Sequence, residues 1–230
     1  MKIVHIYSGG LDSTVLLYQL IKEKHKVECV NFNYGSKHNI KEMDCAVQIC
    51  KNLDIPFETI PLDFINEYFK SDLLRSGGEV PKGHYQDEVM RKTVVPFRNG
   101  IMISIAAGIA ASRDFQAITI ANHAGDHAIY PDCAPPFITA MKNSVLLGTF
   151  ENIILKSPFL LFTKAEIVKI GRALKVPFDK TWSCYKGQQF HCGFCGTCVE
   201  RLEAFKLNKM KDPVKYQKVL DMTKEEKCIQ

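Results

Sequence analysis

Short apolar runs alternate with amphipathic stretches along this chain. Ile3 to Tyr7 is β-branched and aromatic enough to predict a buried strand, and from Ser13 the apolar positions Val15, Leu16, Leu17, Leu20 and Ile21 suit a helix. Val27 to Phe32 predicts a second strand, Met43, Ala46, Val47, Cys50 and Leu53 a second helix, and Phe57 to Pro61 a third strand. After Leu62 the alternation breaks. A short amphipathic piece around Phe64 to Leu74 leads into Ser76 to His84, which has no hydrophobic period, so residues 76–93 read as either a functional lid or a disordered insertion. Order returns with the small-residue helix Ile101 to Ala111, a strand at Ala117 to Ala121, a further helix and a strand at about Ile153 to Ser157. The next helix opens on the capping box Thr163-Lys164-Ala165-Glu166. This order predicts an α/β fold, a doubly wound parallel sheet with ligands bound beyond the carboxyl ends of its strands.

The turn joining the first strand to the first helix is Ser8-Gly9-Gly10-Leu11-Asp12-Ser13. Two glycines permit close approach by a ligand, and the unpaired first amides of the helix lie at its positive dipole end, a geometry that binds phosphate. Ser8, Ser13 and Thr14 add hydroxyls, and Asp12 adds a carboxylate suited to holding Mg²⁺ or capping the helix. Neither the Walker pattern nor G-x-G-x-x-G is present, so the usual P-loop and dinucleotide sites are excluded. The pattern resembles the pyrophosphate loop of the ATP pyrophosphatases, which transfer AMP and release pyrophosphate.

Two further stretches carry chemistry at predicted strand ends. Arg98 and Asn99 open the small-residue helix, as a charge-fixed donor and a capping amide for a bound anion. Asn33 lies in the loop after the second strand, and His123, Asp126, His127, Tyr130, Asp132 and Cys133 follow the fourth, where a parallel sheet places its substrate pocket. Further on, Cys184, Cys192, Cys195 and Cys198 form C-x₇-C-x₂-C-x₂-C. Gly193 and Gly196 allow the bends of a tetrahedral zinc knuckle, and four thiolates close the coordination sphere, so the site reads as structural zinc. An iron–sulfur cluster is the other metal option, and His191 the alternative ligand. The expected organisation is an ATP-binding α/β part over residues 1–180 and a zinc-binding segment with C-terminal helices over 181–230, packed on the same unit.

Composition narrows the setting. The 230 residues suffice for one sizeable core, and a net charge of +5 without a dense Lys/Arg stripe argues against a dedicated nucleic-acid binder. There is no apolar run approaching a membrane span and no export signal, so nine cysteines point to a reducing cytoplasm.

Taken in order, the loop Ser8 to Thr14, Asn31-Phe32-Asn33-Tyr34-Gly35, Pro96-Phe97-Arg98-Asn99, Tyr130-Pro131-Asp132-Cys133, Leu161 to Ile167, and Thr181 to Cys198 resemble the 7-cyano-7-deazaguanine synthases over nearly the whole chain. The resemblance implies a ligase that uses ATP, ammonia and 7-carboxy-7-deazaguanine, carries a Cys₄ zinc site and forms a homodimer. It implies nucleotide contacts over Tyr7, Ser8, Gly9, Gly10, Leu11, Asp12, Ser13, Thr14, Val15, Leu16 and Leu17, and catalytic roles for Asp12, Arg98 and Asp132. Substrate contacts would come from Asn33, Arg98, Asn99, His123, Asp126, Tyr130, Asp132 and Cys133. Three departures fall in the expected substrate half: Phe97 where glycine is common, His123-Ala124-Gly125-Asp126-His127 for Asn-x-x-Asp-x-Ser-Gly, and Ala134-Pro135-Pro136-Phe137 for Arg-Pro-Glu-Phe. Rival readings are an amide-forming relative, a tRNA-thiolating enzyme of the same superfamily, and a zinc-ribbon binding module without catalysis.

Overall fold

Alternation within the first strand decides how the layers form. In β1 (Lys2–Ile6), Val4 and Ile6 pack into one apolar cluster, while Ile3 and the following Tyr7 pack into another on the opposite face. Each face therefore recruits its own helices. The computed structural model describes residues 1–83 and 88–217. Strands β2 (Lys26–Asn33), β3 (Phe57–Pro61), β4 (Ala117–Thr119) and β5 (Ile154–Lys156) complete a five-stranded sheet in the order β3-β2-β1-β4-β5. Every pairing is parallel. Helices α1 (Leu11–Lys22), α2 (Asn39–Leu53), α6 (Lys164–Ala173) and α7 (Gly196–Leu207) cover the Ile3 face, and α3 (Asp63–Tyr68), α4 (Arg98–Ser112) and α5 (Pro135–Gly148) the Val4 face. This is the expected doubly wound sheet. Strand order reverses between β1 and β4, the position where such sheets open a ligand crevice.

The irregular stretch after β3 is fastened where it is described. Lys37 extends its ammonium to the carbonyls of Asp72 (2.8 Å), Leu74 and Gly77 (3.3 Å), and Leu73 and Leu74 are fully buried. Val80 packs against the cysteine cluster, and Met90 is buried in a short 3₁₀ turn, Glu88–Thr93. His84 and residues 85–87 lie outside the described residues, as does 218–230 of the expected C-terminal segment.

Arg201 on α7 holds the cysteine-bearing segment to the main body. Its guanidinium is 1% exposed; Nε and Nη2 donate to Asp212 at 2.7 and 3.1 Å, and further donors reach the Thr181 hydroxyl (2.9 Å), Ser183 Oγ (3.1 Å) and the Phe178 carbonyl (2.9 Å). Arg201→Ala strands the buried Asp212 carboxylate, so unfolding free energy should fall by about 3–5 kcal/mol. Urea denaturation checks this; a loss below about 1 kcal/mol would make the network ornamental to stability.

Candidate functional site

The loop after β1 is shaped by what lies behind it. Gly9 has φ +87°, and a Cβ there would run into the Glu42 carbonyl of α2, so only glycine lets α2 pass this close. Gly10 caps α1 without a side-chain acceptor, which leaves the first amides of that helix for a ligand. Ser8 Oγ accepts from the Gly10 amide (3.0 Å) and meets Ser13 Oγ at 3.1 Å; Asn31 Nδ2 donates to the Tyr7 carbonyl at 2.9 Å. From the strand beneath, His5 makes contacts of 2.9 Å to Thr119 Oγ1 and to the Ser13 carbonyl. Burial pushes the pKa of His5 down to about 4, so the ring is neutral and ties β1, β4 and α1 together.

One cleft opens above this loop at the β1/β4 reversal, and two walls converge on it. Tyr7, Ser8, Gly10, Leu11, Asp12 and Ser13 line the side formed by the loop after β1. Gly9, Thr14, Val15, Leu16 and Leu17 do not line it. Thr14 spends its hydroxyl on the Gly10 carbonyl (2.7 Å), and Val15, Leu16 and Leu17 are fully buried core. Sequence reasoning placed Asp12, His123 and Asp126 at the site but missed Lys164 and Glu200, which gather with them. Lys164, the first residue of α6, reaches Asp12 at 2.5 Å and Glu200 of α7 at 3.5 Å. His123 Nε2 stands 3.9, 3.6 and 3.8 Å from Asp12, Asp126 and Glu200. Burial works against the Lys164 charge, but Asp12 and Glu200 outweigh it and raise its pKa; burial likewise raises that of Glu200. A signal for Lys164 was present, since a cation in the first turn opposes the helix dipole and needs another reason to be there. Asp12 Oδ1 is buried without a hydrogen-bond partner, so this carboxylate would be the one to hold a cation here.

The opposite wall is aromatic and carries one guanidinium. Arg98 Nη1 donates to Tyr34 OH at 3.0 Å and sits 5.3 Å from the centre of that ring. Tyr130 OH meets Thr93 Oγ1 (2.7 Å) and Tyr185 OH (3.1 Å). His38 packs on Tyr185, with ring centres 5.2 Å apart. Glu42 projects from α2 between the walls, with its Oε2 3.5 Å from His38 Nε2. Burial raises Glu42 to about 8 and lowers His38 to about 3, so near neutrality this contact joins a mostly protonated carboxyl to a neutral imidazole rather than two charges.

Several expected positions lie elsewhere. The residue capping α4 is Phe97, in the left-handed region at φ 54°, so Asn99 is not a cap. The Asn99 amide instead donates to Asp132 Oδ2 at 2.8 Å, and its side chain donates to Cys133 Sγ at 3.1 Å. Asp132 is thus buried against α4 and does not line the cleft, whereas Asn99, His123, Asp126, Tyr130 and Cys133 do. Asn33 is absent from the lining because its Oδ1 accepts from the Gly35 amide; Tyr34, His38 and Asn39 reach in from that loop instead. Burial raises the Cys133 thiol well above its usual value, which does not suit a nucleophile. The Phe97 departure has a packing cause. Its ring lies over Gly100, where a Cβ would collide, and meets Phe137 edge-on at 5.5 Å. Phe97, His127, Ala134 and Phe137 all lie off the cleft lining.

Behind the nucleotide loop sit the cysteines. Cys184, Cys192, Cys195 and Cys198 are fully buried, with their sulfurs within 4.8 Å of one another. Zinc–sulfur bonds of about 2.3 Å in a tetrahedron put sulfurs about 3.8 Å apart, so the set fits one metal ion. Gly193 turns at φ +84°, and the Cys192 and Cys195 amides donate to Cys184 Sγ and Cys192 Sγ, each at 3.3 Å. His191 is not a fifth candidate, because its Nε2 accepts from the Ser183 amide at 3.1 Å. The Trp182 amide donates to the Gly9 carbonyl (3.2 Å), which links the cysteine segment to the glycine loop after β1.

Comparisons with known proteins agree with this geometry. By fold the chain is similar to the U34-tRNA thiolase NcsA of Methanococcus maripaludis (TM-score 0.51, 15% identity, 91% of this chain and 65% of that one). It is similarly close to the NMN synthetase of Francisella tularensis (TM-score 0.50, 14% identity, 91% and 78%). Identity that low establishes the shared fold alone. Sequence relatives are much nearer. A 7-cyano-7-deazaguanine synthase of Porphyromonas gingivalis is 49% identical over 212 residues, covering 92% of this chain and 96% of that protein. One from Methanoregula boonei is 45% identical over 217 residues, covering 94% and 100%. Residues 2–209 match the family model described as "Queuosine biosynthesis protein QueC". A family match over residues 2–209, a range that contains both cleft walls and all four cysteines, together with relatives at this identity, makes this chain a member of the QueC family.

Proposed function

We propose that this chain is an ATP-dependent ligase that converts 7-carboxy-7-deazaguanine and ammonia into 7-cyano-7-deazaguanine through an adenylated intermediate. The observation that carries the reading is the single cleft, which joins a phosphate-binding loop to an aromatic wall with one guanidinium. A free carboxylate is a poor electrophile because its leaving group would be oxide. Adenylation replaces oxide with AMP. The α1 amides, Ser8, Ser13 and Lys164 hold the phosphates in line, and Arg98 holds the carboxylate against the reacting phosphorus. Asp12, through its unpartnered Oδ1, is the residue to hold Mg²⁺, which when bound neutralises charge on the pyrophosphate. Tyr34, Tyr130 and Tyr185 offer faces for the flat heterocycle. Ammonia then yields an amide, and a second activation of the amide oxygen gives the nitrile. Zinc on the four cysteines serves the fold.

A homodimer is part of the proposal. Leu147, Phe150 and Leu161 are 83, 98 and 75% exposed, the first two at the end of α5 beside edge strand β5, and such apolar surface suits a second copy. Among the described residues no helix is long and apolar enough to cross a membrane. We place the enzyme in the cytoplasm, where its free thiols stay reduced.

The test is to incubate the enzyme with ATP, ammonium and carboxydeazaguanine and read product mass. Nitrile with pyrophosphate release is expected. Accumulated amide would reassign the chain to amide formation, and pyrophosphate release triggered only by tRNA would reassign it to thiolation.

A further inference from the structure

Glu42 is a carboxyl group in the wrong place for a site that binds phosphates. It projects from α2 into the cleft with its side chain 15% exposed. A Cβ on Gly10 would sit close to both Ser8 Oγ and Glu42 Oε1, so the carboxyl abuts the phosphate-binding loop. Its other neighbours are neutral or cationic: His38 one turn back on α2, Tyr34 at the end of β2, and Arg98 on α4. Asp12 from α1 and Cys45 from α2 are the remaining titratable groups that feel it. A permanent anion here would repel ATP, and a group with no work would be better replaced by an amide. A carboxyl that changes charge during turnover resolves the conflict.

We propose that Glu42 is the proton acceptor for the nitrogen nucleophile in the aminolysis step, positioned where the nucleotide wall meets the substrate wall. This rests on the ligase reading above. The nitrogen lone pair forms the C–N bond at the acyl carbon. The bond from that carbon to the AMP oxygen breaks, and AMP leaves with the electron pair. One proton of the newly cationic nitrogen passes to a Glu42 carboxylate oxygen and is released to water when the cleft empties. The nucleophile enters as free ammonia with its lone pair available, so the carboxylate has one proton to take, the one that C–N bond formation makes acidic. The raised pKa of Glu42, about 8 by burial, matches a base working near neutral pH.

The experiment separates the two half-reactions in Glu42→Gln. Carboxydeazaguanine-dependent exchange of pyrophosphate into ATP reports adenylation, and amide formation from ammonium reports aminolysis. Exchange should stay within about threefold of wild type, which also certifies the fold, while aminolysis falls about 10²-fold or more. At constant free-ammonia concentration, wild-type aminolysis should rise with pH to a plateau above about 8, as Glu42 loses its proton, and Glu42→Gln should lack that limb. Glu42→Asp should restore part of the rate with the limb intact. Exchange and aminolysis falling together, with a raised KM for carboxydeazaguanine, would make Glu42 a substrate-binding group and overturn the proposal. So would an unchanged pH limb. Absence of exchange in the wild-type enzyme would instead reject the ligase reading itself.

Discussion

Asp12→Ala should slow ATP-dependent pyrophosphate release about 10³-fold, roughly 4 kcal/mol of transition-state stabilisation, and leave a folded protein. Asp12 is half-buried at the cleft and contacts Lys164 at 2.5 Å, not the apolar core, so its removal opens no cavity. Lys164 keeps Glu200 at 3.5 Å as a counter-charge, and stability should shift by no more than about 1 kcal/mol. The pair also makes a prediction about coupling. If Asp12 and Lys164 hold one pyrophosphate from two sides, removing both should cost little more than removing the worse one, because residues acting as a unit are not additive. Pyrophosphate release measured for Asp12→Ala, Lys164→Met and the double variant decides this. Independent multiplicative losses would place the two side chains in separate steps, and near wild-type turnover in Asp12→Ala would remove the loop from the chemistry.

The parts of this site that were legible in the sequence are the local ones. The Ser8–Ser13 loop and the cysteine cluster each sit within one short stretch, where glycine placement and thiol spacing carry their own geometry. The strands were equally readable, since runs such as Ile3 to Tyr7 are buried on both faces and, apart from His5, stay apolar. What stayed hidden is joined only by the fold. Lys164 lies 152 positions from Asp12, and Arg201 draws on Phe178, Thr181 and Asp212 at once. Glu42 and Glu200 look like ordinary solvent-facing helix residues until the helices pack. Helical periodicity also explains why too many residues were assigned to the nucleotide. Once α1 begins at Leu11, Val15, Leu16 and Leu17 turn into the core. Asn99 and Asp132 were placed in the right neighbourhood with the wrong partners, because the left-handed Phe97 starts α4 two residues earlier than a cap at Asn99 would have.

Loss of metal from the four cysteines should be the most destabilising change available to this chain, and it should reach the ATP site. The sulfurs fill a buried centre shared with Trp182 and Val80. Structural zinc contributes folding free energy directly, so Cys192→Ser or strong chelation should remove about 5 kcal/mol or more. One link from the cysteines to the cleft runs through Trp182. Trp182 donates its amide to the Gly9 carbonyl (3.2 Å) and its indole N–H to the Cys184 carbonyl (2.7 Å), so a collapsed knuckle pulls directly on the phosphate-binding loop. Because the chain contains one tryptophan, its fluorescence reports that linkage alone. Metal analysis should find one zinc per chain without iron–sulfur absorbance. Graded chelation should red-shift the Trp182 emission and lower the unfolding midpoint in step with metal loss, and turnover should fall together with the emission shift. Turnover lost while emission and midpoint hold steady would give the metal a chemical role in place of a structural one.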